Sequence, residues 1–190
     1  MEWLWNLDGN ILLWIQEYVR ADWMNGFWQF ITSLGDDGRL WIAAGIVMLI
    51  FKKSRIPGIA GLLSMALNFL ATNVTIKNLV ARPRPYTVLE ELSILIEQPG
   101  EFSFPSGHTS SSFAFAFAIF LLMPKKYGVP ALILAALIAF SRLYVGVHYP
   151  TDILGGILVG MFCAAVIVRV VAALRSRKQV HSGREKEEEI

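Results

Sequence analysis

The chain has 190 residues, of which 55% are hydrophobic and 17% charged, and its formal net charge is +2. A soluble domain of this length usually carries about 25% charge, so the composition excludes an ordinary water-soluble globule and points to one integral membrane domain. The small net charge makes no case for a nucleic-acid partner, and a lone cysteine, Cys163, excludes an internal disulfide and reads as core packing.

Residues 2–20 carry Asn6, Asp8, Asn10, Gln16 and Glu17 among apolar residues. That pattern predicts an amphipathic helix lying at the membrane surface. All six tryptophans, Trp3, Trp5, Trp14, Trp23, Trp28 and Trp41, fall at or before position 41. Tryptophan favours the headgroup level, so residues 1–35 are expected to form an interfacial region. No basic n-region or small-residue cleavage site opens the chain, and no signal peptide is expected. In "GDDG" (residues 35–38), Asp36 and Asp37 read as a solvated turn.

Residues 40–51 are apolar but short, and need 36–39 to complete a span. Residues 56–80, with Pro57 suited to a first turn, then 105–123, 127–147 and 151–174 each approach the roughly 20 apolar residues that a bilayer requires. The expected fold is an all-α, polytopic transmembrane helical bundle over residues 36–174. It has five spans, or six if the N-terminal region crosses. The pair Gly156-x3-Gly160 lets the last helix approach a neighbour closely. Residues 175–190 are charged, lack aromatics and read as a disordered tail.

Basic residues cluster in three places: Lys52, Lys53 and Arg55; Lys125 and Lys126; Arg175, Arg177 and Lys178. Alternating spans put all three on one side, which the positive-inside rule makes cytoplasmic. The loops 81–104 and 143–150 then face outward. Within the longer loop, "VLEELSILI" (residues 88–96) is amphipathic and suits either a lid or a passive connector.

The outward helix ends hold unusual chemistry. They bring Lys77, Arg82 and Arg84 from one span, Ser106, Gly107 and His108 from the next, Ser141, Arg142 and His148 from the third, and Asp152 from the fourth. Taken singly, the cations can snorkel and Ser106 or Asp152 can cap a helix. Those separate explanations leave the shared face unexplained, and ionisable groups in a membrane read as functional by default. Cations gathered around a helix N-terminus suit a phosphate: free N–H groups and the helix dipole favour an anion. Gly107 has no side chain to block the backbone, Ser106 offers a hydroxyl, Arg84 and Arg142 can bind oxygens bidentately, and Lys77 is a point charge. Pro150 disfavours helical geometry just before it, so His148 is expected in the loop and Asp152 in the first turn of the last helix. Asp152 can then hold one ring nitrogen and leave the other free to attack. His108 can protonate the leaving oxygen.

"KNLVARPRP" (residues 77–85), "PSGH" (105–108) and "SRLYVGVHYPTD" (141–152) closely resemble, in this order and without gaps, the motifs of the type 2 phosphatidic acid phosphatase family of membrane lipid phosphatases. The resemblance spans roughly residues 56–174. It implies His148 as the nucleophile that becomes a phosphohistidine, Asp152 as its orienting acid, and His108 as general acid and then base. It implies Lys77, Arg84, Ser106, Gly107 and Arg142 as the phosphate cradle, with no metal or other cofactor. Arg82 lies in a spacer, and no role transfers to it. The same motifs occur in soluble vanadium haloperoxidases, which the hydropathy argues against. A Ser106–His148 protease dyad leaves the cations unused, and a haem between His108 and His148 would sit beside unfavourable arginines. The expected substrate is a lipid phosphate in the cell membrane, met on the extracytoplasmic face. Undecaprenyl diphosphate is favoured, with phosphatidylglycerol phosphate and phosphatidic acid as alternatives. Oligomeric state is left open.

Overall fold

The computed structural model describes the backbone of residues 2–188 and the side chains of residues 3 and 5–177. Helix α1 (Glu2–Trp14) runs through a wider turn (Ile15–Val19) and is followed by α2 (Asp22–Ser33). A tight turn at Asp36–Gly38 leads to α3 (Arg39–Ile50). Helix α4 (Arg55–Phe69) continues through loosened turns (Leu70–Ile76) into α5 (Lys77–Val80). Helices α6 (Gly107–Leu122), α7 (Lys125–Tyr144) and α8 (Pro150–Glu188) complete the bundle. Among the described residues there is no strand. Three segments, Arg55–Thr87, Lys125–Tyr144 and Pro150–Arg177, are long and apolar enough to cross a membrane. The protein is a multi-pass, all-helical membrane protein.

Helix α6 is the hub and packs against α4, α7 and α8. Its 16 residues rise only about 24 Å. It is apolar all round because protein surrounds it, as a buried helix requires: Ala114, Phe115, Ala116 and Ala118 are all buried. In lipid, helices associate through close packing more than through hydrophobicity, and α8 obtains that closeness from small residues. A Cβ on Gly156 would lie 2.9 Å from the Ser106 carbonyl oxygen, and one on Gly160 would lie 3.0 Å from the Ala114 nitrogen and collide with the Ser110 carbonyl. The glycine pair is thus used within the chain, against α6. Leu154, Leu158 and Phe162, four residues apart along α8, stay exposed on the opposite face.

Several expectations change. Helix α3 begins only at Arg39, because Asp37 and Gly38 have φ of +52° and +66°. Two left-handed residues cannot extend a right-handed helix, so of 36–39 only Arg39 joins the helix. Trp3, Trp14 and Trp23 are exposed, but Trp41 is core and donates from Nε1 to Ser112 Oγ at 2.9 Å. Trp28 is partly buried, packed against Phe140 and Tyr144. Leu12 of α1 packs with Leu92 and Tyr149, and Ile31 of α2 joins the main core. The segment 88–96 forms no α-helix. It is tied to the N-terminal region, where Gln16 and Arg20 bond Ser93 and Gln29 bonds the Leu95 carbonyl. The backbone of α8 stays helical through the tail to Glu188, where the sequence suggests disorder. Its Arg, Lys, Gln and Glu are good helix formers, and the preceding span supplies the costly nucleus.

Candidate active site

Four chain breaks create the site. Ala81, at φ +47°, ends α5, just after Lys77 has turned inward. Gly146, at φ +81°, ends α7 beyond Arg142 and lets the chain double back, so that the loop before Pro150 carries His148. Ser106 starts α6, its Oγ accepting from the Thr109 N–H at 3.5 Å and the Thr109 hydroxyl at 3.1 Å. Pro150 starts α8 and sets Asp152 in its first turn.

These ends enclose a cleft of about 920 Å³ lined by Lys77, Arg84, Gly107, His108, Arg142 and His148. Six of the eight residues marked by the sequence therefore meet in one cavity. Asp152 stands behind His148, and Ser106 is buried behind the cleft wall as the cap of α6. With its Oγ accepting from Thr109, the Ser106 hydroxyl hydrogen is still available to donate.

His148 is 1% exposed. Its Nδ1 lies 3.4 Å from Asp152 Oδ2, and its Nε2 lies 3.3 Å from Arg84 Nη1. A guanidinium has hydrogens to donate and no lone pair to offer. Facing Nε2, it assigns the proton to Nδ1 and the lone pair to Nε2. Burial pushes the His148 pKa down to about 3, against the opposing pull of Asp152, and Arg84 adds to the depression. The ring is therefore neutral and oriented across the ordinary pH range, with the lone pair on Nε2. Asp152 is fully committed: Oδ2 also accepts from Ser103 Oγ at 2.5 Å and Tyr149 N–H at 2.9 Å, while Oδ1 accepts from Arg82 at 2.7 Å.

The cations are set by burial and by fixed partners. Arg84 donates to the carbonyls of Glu101 at 2.6 Å and Val147 at 3.0 Å. Arg142 donates to Thr32 Oγ1 at 2.6 Å, and its buried Nε has no protein partner among the described residues. Lys77 is 4% exposed and ion-paired with Glu101. The same bond holds the Glu101 carboxyl below its usual range. Lys77 Nζ lies 3.7 Å from where a Cβ on Gly107 would stand, so the ammonium and the start of α6 border the same space.

Four residues were missed or misread in the sequence. Asp36 is not simply solvated: its Oδ1 lies 2.9 Å from His108 Nε2. Asp37 is the more exposed of the two, at 73%, and pairs with Arg39. Alternation of spans puts this turn on the motif-bearing face, and that signal was available. Arg82, left without a role, bridges Asp152 and Asp8 at 2.7 Å each, with its guanidinium over the rings of Tyr149 and Trp5. Asp8, expected on the polar face of a surface helix, is 1% exposed. Nothing local distinguishes it from Asn6 or Asn10. Glu101 was one of four loop acids, with no signal to single it out.

A model of the PAP2 superfamily matches residues 58–176. An undecaprenyl-diphosphatase of Sulfolobus acidocaldarius is 30% identical over 166 residues, which cover 87% of this chain and 80% of that protein. The crystal structure of Aquifex aeolicus LpxE superposes with a TM-score of 0.76 at 26% identity, covering 86% of this chain and 95% of the other. A phosphatidylglycerolphosphate phosphatase from Bacillus subtilis superposes with a TM-score of 0.71 at 26% identity, covering 93% and 88%. With the family match spanning most of the bundle and every helix that builds the cleft's motifs, the chain belongs to the PAP2 superfamily.

Proposed function

We propose that this membrane hydrolase removes a phosphoryl group from a lipid through a histidine adduct. The observation that carries the proposal is His148: a buried, neutral imidazole with Nδ1 held by Asp152 and Nε2 turned toward Arg84. In the first step the Nε2 lone pair forms a bond to phosphorus as the bond from phosphorus to the lipid oxygen breaks. His108 gives that oxygen its proton. Lys77, Arg84, Arg142, the N–H groups at the start of α6 and the Ser106 hydroxyl hold the phosphoryl oxygens, whose charge grows in the transition state. In the second step water attacks phosphorus, His108 takes the water's proton, the P–N bond breaks, and phosphate leaves.

The favoured substrate is undecaprenyl diphosphate. The relative from Sulfolobus acidocaldarius carries that activity in its name, and three cations match a diphosphate better than a monoester. Likeness to the Bacillus subtilis phosphatidylglycerolphosphate phosphatase supports the second candidate. Basic residues on the opposite loops support an extracytoplasmic site. Labelling single-cysteine variants with an impermeant reagent in intact cells is expected to mark position 97 and spare position 53. Purified protein in detergent, offered undecaprenyl diphosphate, phosphatidylglycerol phosphate and phosphatidic acid, is expected to have its highest kcat/KM on the first. A value about tenfold higher for either other lipid, roughly 1.4 kcal/mol of transition-state binding, would overturn the substrate assignment and leave the phosphatase assignment standing.

A further inference from the structure

The two histidines of the cleft are held differently. His148 is gripped through Nδ1 and presents Nε2. His108 is gripped through Nε2 by Asp36, at 2.9 Å, and only Nδ1 is left over. Asp36 lies in the turn between α2 and α3, in the part of the chain before the first motif.

The turn is built around the His108 ring. A Cβ at Gly35 would lie 2.7 Å from His108 Cδ2 and 2.9 Å from Ile138 Cγ2, so only glycine lets the ring lie against the turn. Two residues on, Asp37 and Gly38 take left-handed backbone. A Cβ on Gly38 would lie 2.6 Å from Met65 Cε. Close contact on both sides fixes where the carboxylate stands. Its bond to His108 is the largest influence holding the Asp36 pKa below the usual carboxylate range. The half-exposed carboxylate is therefore ionised and can only accept hydrogen bonds.

We propose that Asp36 is a positioning residue for the reaction: it holds the Nε2–H of His108, so that Nδ1 is the atom that gives a proton to the leaving oxygen and takes one from water. The inference rests on the phosphatase assignment above for the identity of those two proton transfers. In the first transfer the Nδ1–H bond breaks and the proton goes to the lipid oxygen, leaving a neutral ring with its lone pair on Nδ1. In the second, that lone pair takes the proton released as water attacks phosphorus. Asp36 keeps its charge throughout. Arg142 of α7 and Lys77 of α5 bear on the ring with positive charge, while Glu101 of the long loop and Asp36 bear on it with negative charge. Asp36 alone among these four groups touches His108.

The test uses full-length protein in detergent. In nitrogen-15 NMR of the histidine rings, neutral His108 is expected as the Nε2–H tautomer, with that preference lost in Asp36→Ala. A neutral His108 protonated on Nδ1 would overturn the proposal whatever the enzyme's activity. Steady-state kinetics on undecaprenyl diphosphate supply the second arm. Asp36→Asn keeps the shape and removes the charge, so the ring holds its second proton less firmly. The alkaline limb of kcat is expected to move to lower pH by about one unit, the low end for a nearby opposite charge. KM should stay within about twofold, since the proposed role of Asp36 is exerted on the His108 ring and not on the substrate. In a His108→Gln background the same change should cost nothing further, because the two residues act through one ring. An unmoved alkaline limb, or a full additional loss in the His108→Gln background, would mark Asp36 as merely structural. Phosphate release absent from the wild type would remove the phosphatase assignment itself, and the proton-transfer role with it.

Discussion

Arg82 offers the severest test of how the site is held. Its guanidinium makes three bonds of 2.7 Å, to Asp8, Asp152 and Thr151, and stands 3.9 Å from the centre of the Tyr149 ring and 4.6 Å from that of Trp5. Both carboxylates are buried, Asp8 at 1% and Asp152 at 0% exposure. Replacing Arg82 with Met keeps much of the volume and leaves two buried anions facing each other. Removing one partner of a buried pair costs about 3–5 kcal/mol, and the lost cation–π contacts add about 0.5–2 kcal/mol. The expected destabilisation of Arg82→Met is therefore about 3.5–7 kcal/mol, much of it electrostatic. That origin makes a second expectation. Adding Asp8→Asn removes one stranded charge and should recover about 1–3 kcal/mol, the ordinary cost of one unsatisfied buried group, although Asp8→Asn alone destabilises. Unfolding followed by tryptophan fluorescence in mixed micelles, with all four corners of the cycle, measures both. A loss under about 1 kcal/mol for Arg82→Met, or a double variant no better than the single one, would refute the view that Arg82 neutralises two buried acids.

The remaining predictions concern catalysis and packing. His148→Ala should abolish phosphate release, and because the His148 pKa is depressed to about 3, the acid limb of kcat/KM should not track an ordinary histidine at about 6.5. The same depression makes a stability statement: the unfolded histidine takes up its proton below about pH 6.5 and the folded one only near pH 3. Stability is thus fully present above that window and is lost as pH falls through it, a loss that His148→Gln should reduce in acid titrations of unfolding. Glu101→Gln should lower KM about threefold with little change in kcat, because the carboxylate that now occupies Lys77 competes with a phosphoryl oxygen; a raised KM would instead make Glu101 a substrate contact. Gly160→Val should prevent α8 from closing on α6, since even a Cβ there meets the backbone of Ser110 and Ala114; loss of folded protein in detergent size-exclusion is the expected result, while Leu158→Val on the exposed face of α8 should be neutral.

Much of this protein is legible in its sequence because the governing signals are local. A run of apolar residues has to find lipid or core, wherever the rest of the chain lies. Pro150 disfavours helix at Tyr149, just after His148, and starts the next helix before Asp152, so the placement of His148 beside Asp152 can be read from five consecutive residues. Simple alternation of spans then puts Lys77, Arg84, His108, Arg142 and His148 on one face, and the cleft is where they meet. Other decisions belong to the tertiary structure alone. Asp8 and Arg82 are 74 positions apart, and Asp36 and His108 are 72 apart. No periodicity or propensity reaches across such distances. Whether an acid in an amphipathic helix faces water or an arginine depends on which helix end packs over it. Likewise Trp41 and Trp23 look alike in the sequence, yet one lies in the core bonded to Ser112 and the other is exposed. Residue type sets what a side chain can bond to. Packing decides which partners come within about 3 Å, and the cost of burying an unpaired charge then makes those pairings obligatory.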